Sequence, residues 1–168
     1  SKIEKSMDGL KEDSVKSLAP IFKKIKEGLL DVVQNGRFVE GRKYEAINNL
    51  KLKYLKDLQI GWRGVLRAIL EAGRESANSE VQPAKKMEAK GLPEEFADTL
   101  NERSFFITGI ERDRILKKAR IILVNGIEEG TTTKEIVYRL EDFFGKDYDI
   151  DSAQLETVVR TNITKVYN

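Results

Sequence analysis

The chain has 168 residues, 40% hydrophobic and 35% charged, with a formal net charge of +2. That is enough apolar material for one domain with a buried core, or for two small helical ones. Cysteine and histidine are both absent, which excludes disulfides, thiol catalysis, Cys- or His-ligated zinc and imidazole acid–base chemistry from this sequence. No apolar run reaches the roughly 20 residues of a membrane span and no signal-peptide pattern is present, so no membrane partner is expected. The charge is uneven: residues 1–90 carry 19 Lys and Arg against 13 Asp and Glu, and residues 91–168 carry 11 against 15. A mixed solvated surface accounts for this balance; the sharper reading is a basic N-terminal half that meets DNA or an acidic partner.

Residues 1–12 are polar with scattered apolar positions, either a frayed helix or a mobile arm. A firm helix is predicted from about Ser14 to Gln34, with Leu18, Phe22, Ile25, Leu29 and Val32 or Val33 at helical spacing. Pro20 fits only a first turn, so this helix either begins near Ser17 or kinks at Pro20. Asn35-Gly36 closes it and residues 37–43 form a loop. The longest predicted helix runs from about Tyr44 to Ser79. Leu55, Leu58, Trp62, Val65, Ile69 and Ala72 alternate by three and four along it. This seam reads first as the inner side of a long helical hairpin with the preceding helix; the other reading is an interface between copies of the chain. Gly61 and Gly64 flank the only Trp and suggest a close helix crossing or a bend.

Residues 78–93 form the main break, with Pro83, Gly91 and Pro93 interrupting any helix. Lys85, Lys86 and Lys90 there read as a solvated linker. Short helices follow. One opens at Pro93-Glu94-Glu95 and carries Phe96, Leu100 and Phe105. A capping box at Thr108-Gly-Ile-Glu111 opens a second, with Ile115, Leu116, Ala119, Ile122 and Leu123 inside, closing at Asn125-Gly126. After Gly130, a second capping box at Thr132–Glu135 opens a third, burying Ile136, Val137, Leu140, Phe143 and Phe144 until Gly145. Asp151 or Ser152 caps a terminal amphipathic helix whose apolar stripe is Leu155, Val158, Val159, Ile163 and Val166, with Asn162 in line. No segment shows sustained strand alternation. The expected fold is all-α: a long-helix hairpin over residues 1–80, a linker over 81–93 and a short-helix domain over 94–168.

Chemistry-bearing patterns are few. Asp147, Asp149 and Asp151 begin like a calcium loop, but Ser152 stands where the turn needs Gly and Val158 where the bidentate Glu belongs. No glycine loop cradles phosphate. Glu128-Glu129 and Glu141-Asp142 lie on solvent faces, with nothing to tune a pKa for acid work. Arg160 with Thr157, Thr161 and Thr164 forms a polar network that reads as structural before it reads as an anion site. The chain therefore reads as a non-enzyme without metal or cofactor.

One stretch resembles a known family. ILVNGIEEGTTTKEIVYRL, from Ile122 onward, follows the pattern helix, apolar-x-x-Gly-apolar, two residues, Gly-small, helix. It is similar to the region upstream of the terminal motif in phage head morphogenesis proteins, the minor capsid proteins that resemble the F protein of phage Mu. Their best-marked block is an apolar residue followed by Arg-Thr-Glu, small residues and a Tyr-Asn ending. Here Val159 precedes Arg160, Thr161 and Asn162, and the stretch ends at Tyr167 and Asn168. Arg160, Thr161, Tyr167 and Asn168 match; Asn162 replaces the usual Glu and removes a charge. The resemblance covers about the last third of the chain and implies a minor head protein that works with the portal or other head proteins. It implies a place in the virion or procapsid, and in the bacterial host cytoplasm during assembly. It implies no catalytic residue, and an expected truncation of the family domain after Asn168. The competing reading is a helical nucleic-acid-binding module using the basic half.

Overall fold

The computed structural model describes residues 2–35, 43–79, 96–147 and 161. Among these residues there is no strand. The helices are α1 (Lys2–Asn35), α2 (Lys43–Asn48), α3 (Leu55–Ser79), α4 (Phe96–Glu129) and α5 (Thr133–Asp142), and a π-helical turn, Phe143–Asp147, continues α5. The expected linker at 81–93 lies outside the described residues, as does most of the terminal helix.

The chain forms two compact units that do not follow chain order. One contains Ser1–Ala19 and Gln59–Ile107, the other Pro20–Leu58 and Thr108–Asp149. Each draws on residues from both sides of 81–93, so a division at that break does not describe them. The cause lies in helix length: α1, α3 and α4 each run on where an independent domain would need to stop. The first unit buries Leu18, Trp62, Val65, Leu66, Ile69, Leu100 and Ile107. Among the described residues, the second buries Phe22, Ile25, Leu29, Ile47, Leu50, Ile115, Leu123, Ile136 and Leu140.

α1 is longer than its sequence suggests. It takes in residues 2–12 and carries Pro20 inside the helix rather than in its first turn. Pro20 is exposed, so its ring faces solvent, although Lys16 loses the amide donor its carbonyl would otherwise have. In the two turns before it, Ser14 Oγ donates to the Leu10 carbonyl (2.6 Å) and Ser17 Oγ to that of Asp13 (3.0 Å). The helix continues because the stripe Leu18, Phe22, Ile25, Leu29 and Val33 stays buried across the proline. Burying such side chains stabilises by about 1.5–3 kcal/mol each, set against about 3 kcal/mol for an interior proline.

The expected single helix from Tyr44 to Ser79 is two helices separated by residues 49–54. Leu50 and Leu52 are buried while Lys51 and Lys53 are exposed, a period of two that no helix can satisfy. Arg120 of α4 reinforces the break, donating from Nε to the Ile47 carbonyl and from Nη2 to the Asn48 carbonyl, each at 3.3 Å. These are C-terminal carbonyls of α2 that a continuing helix would have used. Tyr54 then takes a left-handed backbone, φ 66°, which turns the chain into α3. For a bulky residue that conformation costs about 1–2 kcal/mol.

α4 is one helix where two were expected. Thr108 and Glu111 are buried inside it rather than capping a new start. Phe105, expected inside, is 67% exposed. Gly126, expected to stop a helix, lies within α4, and a Cβ there would come 2.5 Å from Ile136 Cγ1. Its role is close approach between α4 and α5. The stop falls at Gly130, φ 69°. The Gly130 amide donates to the Ile127 carbonyl (3.1 Å) and the Thr131 amide to that of Gly126 (2.9 Å), a Schellman closure. Thr132 then caps α5, its hydroxyl oxygen accepting from the Glu135 amide at 3.2 Å. Ile136, Val137, Leu140 and Phe143 are buried, and Phe144 is half-buried against Phe143 with ring centroids 5.3 Å apart. Gly145 lies inside the π-helical turn rather than ending the element. Among the described residues, nothing approaches the Cβ position of Gly64, so no described helix crosses closely there.

Candidate functional site

Of the terminal motif, Arg160, Asn162, Tyr167 and Asn168 lie outside the described residues. Thr161 is helical and exposed. Asp147 is the last residue of the π-helical turn; Asp149 and Asp151 lie outside the described residues. The α3 seam is placed clearly. Leu58, Trp62, Val65 and Ile69 are buried within the single chain, and Leu55 is half-buried. The Trp62 indole N–H is buried without a hydrogen-bond partner among the described residues, which costs about 1–3 kcal/mol if it stays unpaired.

The side chains that stand out chemically are on the first half of α4. Phe105 and Phe106 are each 67% exposed and Ile110, one turn after Phe106, is 39% exposed. The same turns bury Ser104, Thr108 and Glu111, with Ser104 Oγ donating to the Asn101 carbonyl at 3.0 Å. A helix whose only task is to close its own core would place these groups the other way round. Along the same helix Glu102 precedes the aromatic pair, and Arg112 and Asp113, ion-paired at 2.9 Å, follow it. Covering two such phenylalanines would stabilise a complex by about 2–4 kcal/mol. The adjacent phenylalanines are visible in the sequence; their exposure is not, because helical spacing puts Phe105 on the inside of a short helix with Phe96 and Leu100.

At the other end of α4, the corner with α5 is rigidly tied. Arg139 bridges Glu129 at 2.8 Å and Glu135 at 3.4 Å. The hydrogen bond to Glu129, then its charge and the weaker pair with Glu135, raises the guanidinium above its usual value despite some desolvation. This corner contains the two glycines of the apolar-x-x-Gly-apolar…Gly pattern, Gly126 and Gly130, and each has a steric reason to be glycine.

Among the described residues no group of three or more acidic side chains could hold a metal ion, and no helix is long and apolar enough to cross a membrane. Compared with family models, with curated proteins and with solved structures, the chain has no match.

Proposed function

We propose that this chain is a minor head protein of a phage or prophage, acting in head morphogenesis through protein–protein contact, with the portal as its first partner. The reading is supported by the resemblance of Ile122–Leu140 and of the Arg160–Asn168 block to the head morphogenesis family. The single structural observation that carries it is the reversed first half of α4, where Phe105, Phe106 and Ile110 are exposed while Ser104, Thr108 and Glu111 are buried. Large aromatic side chains left in solvent beside mixed charge are what an assembly contact requires. No catalytic step enters this function. The protein would reside in the virion or procapsid, and in the host cytoplasm during assembly.

The test begins with the reading frames flanking this one. A portal-sized frame upstream and a scaffold- or capsid-like frame downstream are expected. The portal-sized product should co-purify with this chain and be lost with a Phe105→Ser, Phe106→Ser double variant that keeps wild-type helicity. Neighbours unrelated to packaging, or a complex indifferent to the double variant, would overturn the reading or its assignment to α4 respectively.

A further inference from the structure

We propose that the segment joining α2 to α3 binds single-stranded nucleic acid, with Lys51, Lys53 and Lys56 on successive phosphates and Tyr54 stacked on a base. The proposal does not rest on the head-assembly reading.

The segment is a built platform, not a run of loose lysines. Leu50 and Leu52 are buried and anchor the segment, and Lys51 and Lys53, which alternate with them, are exposed. Two residues of extended chain span about 6.5 Å, close to the separation of neighbouring phosphates on one strand. Lys56, in the first turn of α3, is also exposed. None of the three lysines forms an ion pair among the described residues. From Lys43 to Lys56 there are four lysines and two tyrosines against one acid, Glu45. Asp57, exposed in the first turn of α3, is the nearest opposing charge in sequence.

Tyr54 supplies the second component. It is 45% exposed, its backbone is left-handed, and its ring edge would lie 3.5 Å from a Cβ added at Gly28 on α1. The Lys53 stem would lie 3.7 and 3.8 Å from the same added Cβ. Around Gly28, α1 presents Lys24 one turn before and Asp31 one turn after, and Asp31 is engaged by the Asn35 amide at 2.6 Å. Glycine or asparagine would adopt this backbone with less strain. A tyrosine there keeps an aromatic face beside three cations that form no ion pair among the described residues, the combination that single-strand grooves use for sequence-tolerant binding. A phospholipid surface would also attract the lysines, but it offers neither a linear phosphate repeat nor a base for the ring.

The experiment is fluorescence anisotropy of the full chain with a labelled oligothymidylate, a duplex of equal length and vesicles containing phosphatidylserine, over a salt series. The oligothymidylate is expected to bind more tightly than the duplex, whose bases cannot reach the Tyr54 ring. A Lys51→Gln, Lys53→Gln, Lys56→Gln variant of unchanged helicity should bind more weakly, and its dependence of log affinity on log salt should flatten by about 2. Tyr54→Gly, which relieves the backbone, should lose about tenfold in single-strand affinity. Wild-type affinity in the triple glutamine variant, or vesicle capture without oligonucleotide binding, would overturn the proposal. Equal or tighter binding to the duplex would overturn the single-strand assignment.

Discussion

From Ile115 to Gly126, α4 buries Ile115, Leu116, Ala119, Ile122 and Leu123 and leaves Lys117 and Asn125 in solvent, with Ile121 the one large apolar side chain outside. From Leu100 to Glu111 the same helix buries Ser104, Thr108 and Glu111 beside Leu100 and Ile107, and leaves Phe105, Phe106 and Ile110 outside. Both halves obey helical spacing. Only the second is explained by its own core, since burying apolar surface is what stabilises a folded chain. The first half leaves apolar area wet and takes polar groups inside, a distribution that makes sense when a partner covers the outer face. The difference teaches that a hydrophobic stripe identifies a helix without saying which of its apolar residues face inward.

This contrast can be broken by substitution. The largest effect belongs to the second half: Leu123→Ala should destabilise by about 2–5 kcal/mol in denaturant unfolding, because its site is fully buried. Phe105→Ser and Phe106→Ser should each stay within about 0.5 kcal/mol of wild type in the same assay. A loss comparable to that of Leu123→Ala would show that the aromatic pair belongs to the core after all. Next comes Gly126→Ala, whose new methyl would overlap the buried Ile136 side chain; a loss of about 1–3 kcal/mol is expected, read as a lowered melting temperature. Thr132→Ala removes the cap of α5 and should cost about 1 kcal/mol. The smallest effect has the opposite sign. Gly109 sits in α4 with only Arg112 Nη2 near its Cβ position, at 3.8 Å, so Gly109→Ala should raise stability by about 0.5–1 kcal/mol. A destabilised Gly109→Ala would mean that this face is already occupied.

Two capping boxes show how far local pattern can be trusted. Thr132–Glu135 opens α5 as expected, because Gly130 in a left-handed conformation has already ended the helix before it. Thr108–Glu111 has the same residue types at the same spacing, yet it lies in the middle of α4. Nothing in Ser104-Phe-Phe-Ile107 breaks the backbone, and a helix that continues satisfies the amides a cap would otherwise serve. The break at residues 49–54 was missed for a related reason. A helix predicted to start at Tyr44 takes in Leu50 and Leu52, although their alternation with Lys51 and Lys53 does not fit a helix. As for the candidate sites, the α3 seam was legible as a stripe. The exposed Phe105–Ile110 face and the Lys51–Lys56 platform were not, since both depend on which side of a segment the core occupies.

The sequence by itself determined that the protein is all-α, where the buried stripes of α1, α3 and α5 lie, and that Thr132 begins α5. These follow from local periodicity and backbone sterics, which act over a few residues. Only the tertiary structure decided that α1 runs through Pro20, that Thr108 and Glu111 are interior, that Gly126 is a contact rather than a stop, and that Phe105 and Phe106 face solvent. Each of these is decided by apolar area buried against residues distant in sequence, a quantity that outweighs local propensity and that no short window of sequence contains.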